Sequence, residues 1–309
     1  MSSVSLGLFG VFCGKVDDGG FIESGYRGAL EACERFGIDF NHAESTDISA
    51  DALVGAIDKG IAGKPDLILV HGGRSDEAID MAAPRHPGIR FLSTHGERAG
   101  ANFSCFTIAQ PQSAFLAGTL AGMLTRSGVV GHLSGIRIAP GLRSRAAYAE
   151  GVQRANPDAR LVTCFCGTQD DNAVTYMAAL AQIDAGVDIM YTMLNAGRRG
   201  AIDACRERGV DQIGNVRDWT AVEPDVFIAS AIADNGRLVY AWLADIVQGR
   251  IATGELRSLG LEDAQAVRLA MAERVDPQVR ARVAAFAADL VAGRITLPLD
   301  YGGPEFGAA

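Results

Sequence analysis

The stretch "VDDGGFIESGYRGALEACERFG" (16–37) places two adjacent carboxylates, Asp17 and Asp18, ahead of two glycines and the aromatic Phe21. Paired acids at a strand end can accept hydrogen bonds from a ligand's amines or hydroxyls. They can equally cap the helix that follows, each such contact stabilising it by about 0.5–1 kcal/mol. An aromatic on the same loop can stack on a flat ligand or merely pack the loop. Trp219, in "GNVRDWT", poses the same alternative.

Cationic and imidazole groups fall at comparable positions. Arg74, Arg137, Arg143 and Arg217 lie near strand ends or helix starts. A desolvated arginine recognises a carboxylate or other planar anion in a bidentate fashion, whereas a solvated one is ordinary surface. Arg217 is the strongest of the four, since an inward guanidinium there implies an anionic ligand or one with a carbonyl edge. His71 and His95 end two strands, at "VHGG" and "STHG". Each can bond a ligand as a neutral imidazole or serve a loop carbonyl. "HGGRS" (71–75) is glycine-rich before a helix but is no phosphate loop.

Signatures of catalysis are sparse. The chain has no G-x-S-x-G, no H-E-x-x-H and no cysteine with a histidine at a telling spacing. Asp17–Asp18 and Asp170–Asp171 form carboxylate pairs on paper, but nothing in the sequence brings them together. No enzyme, cofactor or metal site is expected.

These groups sit on a chain of 309 residues, 48% hydrophobic and 21% charged, long enough for two domains. Its net charge of −9 speaks against a sequence-wide nucleic-acid footprint. No apolar run reaches the ~20 residues of a membrane-spanning helix, and "MSSVSLGLFGVF" runs straight into a strand rather than reading as a signal peptide. The six cysteines form no C-x-x-C and are expected as free structural thiols, which fits a reducing compartment.

The elements that position these residues alternate. Apolar strands at 4–12, 65–73, 129–135, 160–166 and 187–193 are separated by helical patterns at 21–37, 49–63, 111–128, 143–155, 172–185 and 197–208. Continuous apolar strands between helices predict parallel sheets covered on both faces. The pattern restarts near residue 128, so we expect two doubly wound α/β lobes with a hinge and an interlobe cleft. In open sheets ligands lie at the carboxyl ends of the strands, where the "DDGGF" loop falls.

Taken in order, "KVDDGGFIESGYRGALEA", "QPQSAFLAGTLAGMLTRSGVVGHLSG", "AAYAEGVQRANPDARLV", "AQIDAGVDIMYTM", "ASAIADNGRLVYAWLADIVQG" and "AERVDPQVRARVAAFAADLVAGRITLP" resemble the basic membrane protein (BMP) family over nearly the whole chain. Those are ABC-transporter substrate-binding proteins of the type 1 periplasmic-binding fold, and characterised members bind purines or nucleosides. The resemblance implies that Phe21 stacks on the base. It places Asp17 and Asp18 in the family's acidic loop, and Phe12 where the family has an acid. Thr168 and Gln169 stand where its second aromatic would be. Arg217, Asp218 and Trp219 lie in a further binding segment, and Asn235 follows the site of a family lysine that here is Ala233. Asn195, after the strand at 187–193, completes the candidates with His71, Arg74, His95 and Arg137.

The lobes are expected at 1–127 plus about 234–258, and 128–233 plus about 259–309, with hinge crossings near 109, 128 and 233. By resemblance the chain is the substrate-binding protein of an importer. It would capture a purine, nucleoside or related heterocycle by hinge closure, outside the cytoplasm, with an ABC permease as partner. A cytosolic sensor of the same fold is the alternative, and a hydrolase a more distant one.

Overall fold

The computed structural model describes residues 6–72, 75–250 and 253–307. In chain order the strands are β1 (Gly7–Phe12), β2 (Asp39–Glu44), β3 (Leu67–His71), β4 (Arg90–Thr94), β5 (Phe103–Ile108), β6 (Val129–Ser134), β7 (Arg160–Phe165), β8 (Ile189–Met193), β9 (Asp211–Val216), β10 (Phe227–Ala233), β11 (Leu256–Leu259) and β12 (Val267–Met271). The helices are α1 (Phe21–Phe36), α2 (Ala50–Ile61), α3 (Ser75–Ala82), α4 (Gln110–Leu124), α5 (Ala139–Ala155), α6 (Asn172–Asp184), α7 (Arg198–Arg208), α8 (Asn235–Val247) and α9 (Pro277–Val291).

The chain divides into two compact units. The first takes the chain as far as Ile108 and again Asp234–Leu259; the second takes Ala109–Ala233 and everything from Gly260. The first unit's sheet has the order β11-β5-β4-β3-β1-β2 and every pair is parallel. The second has the order β12-β10-β9-β8-β6-β7, parallel except that β12 runs antiparallel to β10. In each, the first strand lies between the second and third, the arrangement that leaves a ligand crevice at the carboxyl ends beside that strand.

Local sequence accounts for the elements. "LILVH" of β3 is buried throughout, as a strand covered on both faces must be. Ser49 caps α2 through Ala52 N, Asp171 caps α6, Asp234 caps α8 and Asp276 caps α9. Gly37 ends α1 in the left-handed conformation, φ 68°, where a side chain would be strained.

The unit boundaries differ from expectation. Residues 109–127 belong to the second unit, and the chain passes between units at 108–109, 233–234 and 259–260, so residue 128 is no crossing. The cause is the packing of α4. Nearly all of that helix is buried, and its backbone meets α5 through small residues. A Cβ at Gly118 would lie 2.1 Å from Tyr148 O, and one at Gly151 2.1 Å from Phe115 O. The strand β11, antiparallel β12 and helix α9 were not distinguished in the sequence pattern.

Candidate functional site

In the first unit the register aligns Phe12 with His71 and His71 with Thr94 across three neighbouring strand ends. Thr94 Oγ1 accepts from Gly72 N and bonds His71 Nδ1 at 2.8 Å, while His71 Nε2 donates to Phe21 O at 3.1 Å. That chain of bonds fixes one neutral tautomer. Burial, with a smaller contribution from His95, pushes the His71 pKa down to about 3. His95, at φ 63°, bonds Asn235 Oδ1 through Nε2 at 2.7 Å. Burial pushes it down to about 4, so at neutral pH its Nδ1 is an acceptor.

Phe21 lies over these imidazoles. Its ring is stacked on His71 with centroids 4.9 Å apart and an interplanar angle of 20°, and sits 4.8 Å from the His95 ring. Phe21 as a whole is half-buried. Two glycines of α1 permit this arrangement. A Cβ at Gly25 would fall 2.5 Å from the His71 ring, and one at Gly28 would fall 2.2 Å from the Gly236 backbone of α8. The structure therefore brings together Phe21, His71, His95 and Asn235.

Three other first-unit candidates fare differently. Phe12 is fully buried, edge-on to Tyr26 at 5.4 Å and packed on His71, so it supports the imidazole from beneath and does not reach a ligand. Asp18 accepts from the backbone N–H groups of Gly20, Ile22 and Glu23 and so terminates α1, the capping role that one acid of the pair can fill. Burial raises its carboxyl pKa against those bonds. Asp17 is exposed. Arg74 lies outside the described residues.

In the second unit Gln169 O accepts from Asn195 N and Gly197 N, tying the β7–α6 loop to the β8–α7 loop beside β6. Thr168 Oγ1 accepts from Asp170 N and Asp171 N. Gln169 Oε1 is buried with no hydrogen-bond partner among the described residues, an orphan acceptor of the kind that bound water or ligand usually satisfies. Gly135 makes room for it, since a Cβ there would meet the Gln169 carboxamide at 2.5 Å.

Trp219 departs from expectation. It is 8% exposed, packs on Phe227 and donates from Nε1 to Asn215 O at 3.1 Å. The guanidinium groups of Arg217 and Arg198 lie 4.1 and 4.5 Å from its ring centroid. It packs as part of a core cluster of the second unit. Arg217 is exposed and follows Val216, whose φ of 70° is rare for a β-branched residue and turns the chain sharply at the end of β9. Asp218 accepts from Thr220 N and Oγ1 and stabilises that turn. Arg137 is engaged by Glu305. The sequence reading missed Arg198, which is buried and donates to Leu194 O and to Asn215 Oδ1. Its only signal was the "GRRG" run opening a helix after a strand.

The paired acids have local structural roles: Asp18 and Asp171 each cap a helix, and Asp170 Oδ1 accepts from Ala196 N. Among the described residues no cluster of His, Cys, Asp and Glu is arranged to hold a metal ion.

Residues 8–284 match a family model described as Bmp, ABC transporter substrate-binding protein PnrA-like. The chain belongs to the Bmp family. Among its relatives, basic membrane protein A of Borreliella burgdorferi is 28% identical over 268 residues, 84% of this chain and 77% of that protein. A purine-binding protein of Brucella abortus is 22% identical over 175 residues, 57% of this chain and 49% of that one. Similar solved structures include an ABC transporter solute-binding protein of Aeropyrum pernix K1, with TM-score 0.82, 22% identity and coverage of 96% of this chain and 94% of that one. A transcriptional activator of the comK gene from Bacillus halodurans superposes with TM-score 0.81 at 17% identity, covering 95% of this chain and all (100%) of that one. The Bmp protein thus has the type 1 periplasmic-binding fold, two α/β units with mainly parallel sheets. Family and fold are those of substrate-binding proteins rather than enzymes. No helix among the described residues is long and apolar enough to cross a membrane.

Proposed function

We propose that this Bmp protein is the substrate-binding component of an ABC importer and captures a small planar polar ligand, a purine, nucleoside or related heterocycle. One observation carries the choice of ligand: the ring of half-buried Phe21 rests on neutral imidazoles beside β1, where a doubly wound sheet receives ligands. An apolar face with a few convergent acceptors suits a flat heterocycle with N–H donors. His95 Nδ1 supplies such an acceptor. The purine-binding relative supports the same ligand class. Hinge closure around the ligand, an extracytoplasmic location and a permease partner go with this assignment.

A regulatory protein of the same fold is the second reading, favoured by the likeness to the Bacillus halodurans activator.

The test is a thermal-shift and calorimetric screen of ligand-free protein against purines, nucleosides and, as controls, sugars of similar size. A true ligand at a hundredfold excess over its Kd should add about 2.7 kcal/mol to apparent stability. Stabilisation by a sugar and by no purine or nucleoside would overturn the assignment. An importer component also requires that the loaded protein raise ATP hydrolysis by a reconstituted permease, which a sensor would not do.

A further inference from the structure

Beyond α9 the chain has no regular structure, yet it is tied to the second unit at several points. Leu297 packs on the core cluster around α4, α5 and α9. Phe306 packs on the other core cluster and donates from its backbone to Thr163 O of the edge strand β7 at 2.8 Å. Between them lies Glu305. Arg137 Nη1 and Nη2 donate to its two carboxylate oxygens at 2.7 and 2.8 Å, a fork-on-fork pair, and Arg145 Nη1 donates to one of the same oxygens. Both guanidinium carbons lie 5.0 Å from the centroid of the Phe165 ring. The Tyr301 ring covers Arg145 at 4.9 Å.

Arg145 is 5% exposed, and its Nε has no hydrogen-bond partner among the described residues. A guanidinium that deep requires a counter-charge, because an uncompensated buried cation is strongly unfavourable. The two arginines and Phe165 lie within the span matched to the family, residues 8–284, whereas the carboxylate that answers them comes from position 305. The receptor and its occupant thus come from different stretches of the chain. The occupant is also lightly held: residues 302–305 are exposed, so the tail has little buried surface to resist lifting off.

We propose that Arg137, Arg145 and Phe165 form a carboxylate-binding site on the second unit, which the chain's own tail fills through Glu305. A flat external carboxylate binds there only when the tail leaves. Two guanidinium groups over one aromatic ring suit a planar anion, with Arg137 presenting two parallel donors to a carboxylate edge and Arg145 a further one. The site lies wholly on the second unit and does not depend on the purine assignment.

Benzoate is the probe and benzamide its uncharged counterpart, tested on the full-length protein, on full-length Glu305→Ala, and on a chain ending at Pro298. Calorimetry should show benzoate binding to both altered chains at least about tenfold more tightly than to the wild type, the equivalent of ~1.4 kcal/mol, with benzamide unaffected. Adding Arg137→Gln to Glu305→Ala should remove that gain, and a synthetic peptide of residues 299–309 should compete with benzoate for the shortened chain. If the shortened chain does not fold, Glu305→Ala alone carries the test. A folded Glu305→Ala protein with no preference for benzoate over benzamide, or a wild type that binds benzoate equally well, would overturn the proposal.

Discussion

A histidine that cannot take a proton is a fixed hydrogen-bonding device, and this chain holds three. His71, His95 and His132 are pushed by burial to pKa values of about 3, about 4 and about 3. An unfolded chain titrates its histidines near 6.5, so between pH 6.5 and about 4 the unfolded state binds more protons than the native one. Stability is therefore full above pH 6.5 and falls on acidification, by up to about 1.4 kcal/mol per pH unit for each histidine. Urea unfolding at pH 7.5 and pH 5.0 measures this, and equal stabilities would refute it. Across the neutral range the Phe21 platform keeps one charge state, so ligand affinity should hardly vary from pH 6 to 8. Phe21→Ala should weaken purine binding by about 1–3 kcal/mol through lost stacking and apolar contact. Unchanged affinity by calorimetry would remove Phe21 from the site. The placement of Phe21 was legible because an aromatic beside two glycines follows a strand end, and its ring lies against two imidazoles there. The packing of Trp219 was not legible because sequence places a residue on a loop without saying which way its ring turns. Only packing against Phe227 and the two arginines decides that.

At the scale of elements, the glycines of α1 set how closely its neighbours approach. Gly28→Ala drives a methyl group into the backbone of α8, which cannot step aside as a side chain could. The cost should be about 1–3 kcal/mol, near the upper end, seen as a lower melting temperature. Gly25→Ala pushes on the His71 ring instead and should impair ligand binding in addition to stability. A Gly28→Ala chain melting like the wild type would show that α1 and α8 are less tightly apposed than described. Strand and helix alternation was readable because period-2 and period-3.6 patterns follow from backbone geometry. The assignment of α4 was not. A helix apolar on every side carries no directional signal, and its allegiance rests on the facing small residues Gly118 and Gly151. The short strand β11 alternates exposed and half-buried residues over only four positions, too brief to read.

For the whole molecule, the fold and family were recoverable because the ordered series of landmarks spans the chain, whereas the ligand depends on individual side-chain orientations. The six thiols carry a further practical consequence. All are free, and burial raises their pKa: Cys13, Cys33 and Cys205 to about 12, Cys105 to about 11, with Cys164 and Cys166 raised as well. The thiolate is the reactive form, so among the buried thiols Cys33, Cys105 and Cys205, whose pKa is raised most, should react slowly with maleimides at pH 7. A single cysteine engineered at an exposed site in each unit should therefore take up a fluorophore far faster than the buried native thiols, with the half-buried Cys13 and Cys166 replaced by serine. The pair of dyes would test by energy transfer whether a ligand changes the distance between the units, and labelling of more than the two introduced sites would show that a remaining native sulfur is open to attack.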